Sequence, residues 1–134
     1  MSSTQRVVIV TGASQGIGEA LVTAYGKLGY AVVATSRSIR ESEDPQVLTV
    51  RGDLSQPGTG AHVVEQALTR FGRVDTLVNN AGVFVGKPFV DYTDEDYDAV
   101  TGVNLRGFLD VSRSAVAAVT GEILHVDGGQ SAGR

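Results

Sequence analysis

Val7-Val8-Ile9-Val10-Thr11-Gly12-Ala13-Ser14-Gln15-Gly16-Ile17-Gly18 sets the reading of the whole chain. Val7 to Val10 is a short, unbroken apolar run rich in β-branched residues, the pattern of a parallel strand buried on both faces. After the glycine loop, Ile17, Ala20, Leu21, Ala24 and Leu28 recur at helical spacing, with Gly29 as the stop. The three glycines between strand and helix have separate uses. Gly12 allows a sharp exit from the strand, Gly16 lets the backbone come close to a pyrophosphate, and Gly18 lets the helix pack tightly on the sheet. The helix start presents free N–H groups and a positive dipole end to an anion. In this strand–turn–helix setting, the loop with Ser14, Gln15 and Ile17 reads as a dinucleotide cradle in preference to a plain tight turn.

Beyond this unit, the chain alternates strand and helix signals. Ala31 to Thr35 and Val47 to Val50 read as buried strands, separated by a polar stretch from Ser38 to Pro45 that reads as a loop. Val64, Ala67, Leu68 and Phe71 mark one face of a helix closed by Gly72, and Val74 to Val78 is a fourth strand. Thr93 is the expected N-cap of a third helix, with Asp94, Glu95 and Asp96 in the first turn, where the dipole favours negative charge. Tyr97, Val100, Phe108, Val111 and Ala115 place its apolar face, and the pattern extends it to about Val119. Ile123 to Val126 is a fifth strand, closed by Asp127-Gly128-Gly129. The order predicts a Rossmann-like α/β fold, three layers around a parallel sheet of about five strands. A single domain spans 1–134, with 120–134 holding the last strand and tail.

Composition narrows the functions. The 134 residues are 42% hydrophobic and 19% charged, which suits a globular core. The 17 glycines follow no period, which excludes collagen, and several of them fall where strand-like runs meet helix-like ones. A net charge of −4 argues against a nucleic-acid partner held by counterion release. With no cysteine, disulfides, thiolate metal sites and cysteine nucleophiles are excluded, and two histidines do not make a zinc site. No apolar run has the length of a membrane span, and the N-terminus lacks the layout of a secretory signal. The expectation is a soluble cytoplasmic protein with no metal and no membrane partner.

The end of the second strand refines the cofactor. A carboxylate there would accept hydrogen bonds from the adenosine ribose of NAD. The chain instead has Ser36, then Arg37 and Arg40, so a 2′-phosphate meets a guanidinium and no repelling charge. NADP(H) is therefore expected over NAD(H). Asn104 interrupts the apolar face of the third helix, where an amide needs partners and asparagine is a poor helix former.

These residues together resemble the short-chain dehydrogenase/reductase family. Its Thr-Gly-x-x-x-Gly-x-Gly motif is matched by Thr11 to Gly18, its Asp-Leu pair by Asp53-Leu54, and its Asn-Asn-Ala-Gly segment by Asn79 to Gly82. Its Val-Asn-Leu-x-Gly segment is matched by Val103 to Gly107, and Thr120 to Gly129 looks like the family's last strand and closing turn. The resemblance implies a strand order of 3-2-1-4 followed by the C-terminal strand, and an oxidoreductase acting on CH–OH groups, with a small alcohol or carbonyl substrate only if it is active. It implies that Asp53, Leu54 and Asn80, Ala81 and Gly82 line the adenine and ribose region, and that Asn104 falls on the family's catalytic asparagine.

The same resemblance exposes a departure. Family members continue after the asparagine helix with a strand ending in a catalytic serine and a helix carrying Tyr-x-x-x-Lys. Here only Leu105 to Val119 separate Asn104 from Thr120, and those residues read as helix. The only lysines are Lys27 and Lys87, and the residues four after Tyr25, Tyr30, Tyr92 and Tyr97 are Gly29, Ala34, Asp96 and Thr101. In the family, the tyrosine is the acid/base for the carbinol oxygen. Its loss removes a contribution of about 10²- to 10⁴-fold. The expectation is a chain that retains dinucleotide binding with little or no turnover; the alternative is a structural remnant with neither. In the family, the surfaces lost here help form oligomer contacts, so exposed apolar surface predicts a homo-oligomer.

Overall fold

The computed structural model describes residues 4–82, 85–116 and 118–126. Five parallel strands form one sheet: β1 Val7–Thr11, β2 Ala31–Ser36, β3 Val47–Arg51, β4 Val74–Asn79 and β5 Val119–His125. Their order is β3-β2-β1-β4-β5, as the family resemblance implies. β1 lies at the centre, with Val8 level with Val32 on one side and Thr76 on the other. Every residue of β1 is buried, which explains why its sequence is a continuous apolar run without alternation.

Alternate side chains divide the core. Val7, Ile9, Ala31, Val33 and Leu77 point to one face, covered by Val63, Ala67 and Phe71 of α2 (Thr59–Phe71) and by Val111 and Ala115 of α4 (Phe108–Ala115). Val8, Val10, Val32, Ala34 and Val78 point to the other face, against Leu21, Val22 and Tyr25 of α1 (Gly16–Lys27). Each fully buried valine contributes about 1.5 to 3 kcal/mol relative to exposure. On α1 the pattern of spacing is only partly right. Leu21 packs on the sheet, but Ala20 and Ala24 face outward, and Leu28 lies past the helix end and is exposed. The sheet-facing stripe is instead Leu21, Val22 and Tyr25, with Tyr25 edge-on to Tyr30.

The third helix departs most from expectation. Thr93 does cap it, accepting from the Asp96 amide while the Asp96 carboxylate accepts from the Thr93 amide, a full capping box. The α-helix α3 spans only Asp94–Thr101, however, and a wider π-helical turn, Gly102–Gly107, separates it from α4. That turn carries Asn104 and two glycines, all poor α-helix formers. It breaks the phase of the apolar face: Val111 and Ala115 are buried, whereas Tyr97 is 66% exposed. The helical stretch ends at Ala115, short of Val119, because Val119 already pairs with Val74 as the first residue of β5. The fifth strand is thus longer than Ile123 to Val126, and Val126 follows it with its amide donating to the Asn79 carbonyl. The closing Asp127-Gly128-Gly129 lies outside the described residues. Among the described residues, no helix is long and apolar enough to cross a membrane.

Helices α2 and α4 touch through a glycine. A Cβ on Gly60 would lie 2.7 Å from the Val111 amide nitrogen and 2.8 Å from the Asp110 carbonyl carbon, both backbone atoms that cannot step aside. Gly26, within α1, has open space around it. Gly60→Ala is expected to destabilise the fold by about 1 to 3 kcal/mol, and Gly26→Ala to stabilise it by about 0.5 to 1 kcal/mol. Urea denaturation of the two variants checks both signs, and equal effects would contradict the packing described.

Candidate functional site

The carboxyl ends of β1, β2, β3 and β4 open onto one cleft, at the point where the chain reverses its direction of progress through the sheet. Its volume is about 190 Å³. From the β1 turn come Gly12, Ser14 and Gln15; from the end of β2, Ser36, Arg37 and Ser38. Gly52, Asp53 and Leu54 follow β3, Ala81 and Gly82 follow β4, and Val103 reaches in from the π-helical turn. Nine of the residues singled out from sequence therefore share one wall, while Gly52, Ser38 and Val103 are additions that carry no chemical signature in the sequence.

The loop between β1 and α1 has the backbone the glycines promised. Gly12 and Gly16 adopt φ of 64° and 58°, in the left-handed region. A Cβ on Gly12 would lie 2.8 Å from Ala81 Cα, and one on Gly18 only 2.0 Å from the Gly12 carbonyl oxygen. At Gly16 nothing lies within 4 Å, so its turn of chain faces open space. The N-cap of α1, Gln15, makes no side-chain capping bond, which leaves the first-turn N–H groups directed outward for an anion. Ile17 is exposed beside them. The close backbone at Gly12 and Gly18 and the open space at Gly16 are compatible with a pyrophosphate at this turn.

Two side chains that line no part of the cleft hold its halves together. The buried Thr11 hydroxyl accepts from the Asn80 amide at 3.0 Å and the Ala81 amide at 2.9 Å. Asn80 Nδ2 donates to the Gly12 carbonyl at 3.1 Å. Asn80 thus lies behind the glycine loop, bracing it, and is not a lining residue. The threonine's bracing role is not legible from its place in the motif alone. Asn79, also buried, donates from Nδ2 to Ser112 Oγ at 3.0 Å and ties the end of β4 to α4.

Asp53 Oδ1 accepts from the Ser55 amide at 2.9 Å and the Ser55 hydroxyl at 2.6 Å. These bonds, more than the nearby Arg37 charge, hold its carboxyl below the usual range against the opposing effect of burial. Arg37 itself is exposed at the cleft rim, next to Ser38, whose amide donates to Ser36 Oγ. Asn104 sits on the opposite side, with Oδ1 3.3 Å from where a Cβ of Gly82 would stand. Farther out, Lys87 pairs with Asp96, and this contact together with the capping bond depresses the Asp96 pKa. Outside the cleft, a larger hollow of about 930 Å³ lies between α1 and the β2–β3 connection, sharing Ser14, Gln15 and Ser38 with it.

The short chain dehydrogenase family model matches residues 6–130. An uncharacterized oxidoreductase of Methylorubrum extorquens is 37% identical over 120 residues, covering 82% of this chain and 48% of that protein. The L-xylulose reductase of Bos taurus is 42% identical over 113 residues, covering 81% and 45% respectively. The matched stretch therefore spans less than half the length of either relative. Among solved structures, a 3-ketoacyl-(acyl-carrier-protein) reductase from Brucella melitensis complexed with NADH superposes with a TM-score of 0.87 at 30% identity, covering 96% of this chain and 60% of that one. A short chain dehydrogenase/reductase from Burkholderia phymatum in complex with NAD gives 0.83 at 26% identity, covering 90% and 48%.

Thr11→Val, which keeps the shape and removes the acceptor, is expected to cost about 2 kcal/mol, and Thr11→Ser to recover most of it. Chemical denaturation of both variants measures this, and an unaffected valine variant would remove the hydroxyl from its bridging role. A second expectation concerns pH. The folded-state pKa of Asp53 lies below its ordinary 3.8, so its stabilisation is fully present above that value and is lost as pH falls through the depressed one. The stability difference between the native chain and Asp53→Ala should accordingly be larger at neutral pH than in acid, and a difference independent of pH would contradict it.

Proposed function

This chain belongs to the short chain dehydrogenase family, and from that premise we propose that it binds NADP(H) in the cleft at the carboxyl end of its sheet, with little or no turnover. One observation carries the reading: the glycine loop, Arg37, Asp53 and Gly82 come from four separate strand ends and line a single cavity. Gly12, Ser14, Gln15, Gly16, Ile17 and Gly18 would hold the pyrophosphate through backbone N–H groups. Ser36 and Arg37 would meet the adenosine ribose and its 2′-phosphate, with no carboxylate at the end of β2 to repel it. Asp53, Leu54, Ala81 and Gly82 would line the adenine and ribose, with Asn80 bracing the loop from behind. The NADH and NAD held by the two structural relatives support a dinucleotide in this place; the preference for the phosphorylated form rests on Arg37.

When bound, the nicotinamide would supply hydride chemistry on an alcohol or carbonyl compound. This chain's own residues support only part of such a reaction. Asn104, beside Gly82, is the retained member of the catalytic set that the family resemblance supplies. No tyrosine in the sequence is followed four residues later by lysine, so no acid/base pair of that type exists to protonate a carbinol oxygen. Self-association is part of the same reading. Phe89 and Val90, 88% and 87% exposed, with Leu105, Leu109 and Val116, leave apolar surface that a second copy would cover.

Native mass spectrometry of the purified chain with and without NADPH tests this directly. One NADPH per protomer, no NADPH oxidation with a panel of ketones, and oligomers of the 14.0 kDa chain are the expected results. Absence of any adduct at saturating NADPH and NADH would leave the structural-remnant reading, and turnover would overturn the proposed inactivity.

A further inference from the structure

The segment between β2 and β3 carries Arg37 to the cleft rim and Arg40 to the neighbouring larger hollow, without any helix of its own. Its far half is well braced. Asp44 accepts the Gln46 amide at 2.8 Å, Ser42 Oγ accepts the Asp44 amide, and Arg70 donates to the Pro45 carbonyl at 2.9 Å. The near half, which bears the guanidinium the cofactor would meet, is held differently. Ile39 packs into the core against α1's face of the sheet, and Arg51 Nη2 donates to the Ile39 carbonyl at 3.1 Å. This side-chain hydrogen bond reaches the Arg37–Glu41 stretch from another element, whereas the Ser38 amide's bond to Ser36 Oγ is local.

Arg51 is well placed for that task. It ends β3 directly across from Ser36, and the next amide, Gly52, donates to the Ser36 carbonyl at 3.1 Å. The end of β2, the start of the connection and the cleft residue Gly52 are therefore tied together at one point. A guanidinium gives a fixed, planar donor, so it restrains the carbonyl it binds more tightly than a flexible ammonium does.

We infer that Arg51 is a positioning residue for the phosphorylated end of the dinucleotide, fixing the connection through the Ile39 carbonyl so that Arg37 is held ready at the cleft rim. The inference rests on the NADP(H) reading and sharpens it, because preordering of the loop lowers the entropy lost when the 2′-phosphate binds. A cofactor lacking that phosphate draws no benefit from it. Arg51 is thus a determinant of the choice between NADPH and NADH without being required for the pyrophosphate cradle.

The test is calorimetric titration of NADPH and NADH into the native chain, Arg51→Met and Arg51→Lys, with amide hydrogen exchange followed at Ser38 to Arg40. The methionine variant should weaken NADPH about five- to tenfold, the size of one ordinary net hydrogen bond, and leave NADH within about twofold. Exchange at Ser38 to Arg40 should quicken in the same variant. Lysine should recover part of both effects. An unchanged NADPH-to-NADH ratio in Arg51→Met overturns the inference, and so does a changed ratio with unchanged exchange, which would make Arg51 a direct charge contact. Should the methionine variant not fold, Arg51→Gln is judged by the same two readouts. A native chain that binds neither dinucleotide, or both equally, fails at the earlier step: it removes the NADP(H) reading itself, and the positioning role with it.

Discussion

The hydroxyl of Thr11 is the constraint on which the cleft depends. β1 and β4 are neighbours in the sheet, but past their ends the chain departs in different directions, into a helix after β1 and into an irregular segment after β4. Without the tie, the Ala81 N–H after β4 and the Gly12 carbonyl after β1 would lose these partners. The threonine oxygen takes both the Asn80 and Ala81 N–H groups, and Asn80 returns a bond to the Gly12 carbonyl. The reciprocity satisfies backbone groups on both sides and keeps Ala81 so close that position 12 has no room for a side chain. The width of the cleft is set there, on buried atoms, before any ligand arrives.

Much of this was legible in the sequence because it is local. A β-branched run followed by glycines in a fixed order reports a buried strand, a tight turn and a close approach within a dozen residues, and each of those demands a particular residue type. The N-cap at Thr93 and the left-handed stop at Gly72 are legible for the same reason. Asp53, Leu54, Ala81 and Gly82 were legible by family resemblance, since nothing in their immediate neighbours says that a loop after β3 will face a loop after β4.

What escaped the sequence is mostly non-local. The third helix has the spacing of one continuous amphipathic element, yet its middle turn is widened, and the register of the two halves is set by contacts on α2 and β4 that spacing cannot foresee. On α1, the apolar residues Ile17, Ala20, Leu21, Val22, Ala24 and Tyr25 cover more than half of the cylinder, so periodicity alone does not identify Val22 and Tyr25 as the sheet-facing pair. The bracing roles of Thr11 and Arg51 depend on partners far along the chain or on a backbone carbonyl, which leave no trace in residue type.

The strand order carries a consequence for how the fold is reached. β1 finds β2 after one short helix, so that pair closes a small loop at modest entropic cost. Its other neighbour, β4, begins only at Val74, and the β1 amide at Val7 is also capped by the distant carboxylate of Asp75. A chain growing from its amino end therefore holds the central strand half-paired, one edge bare, until the first 79 residues exist. The pairing of β4 with β1 is the long-range contact that closes the sheet around its central strand, and it completes the cleft and the hydrophobic centre together.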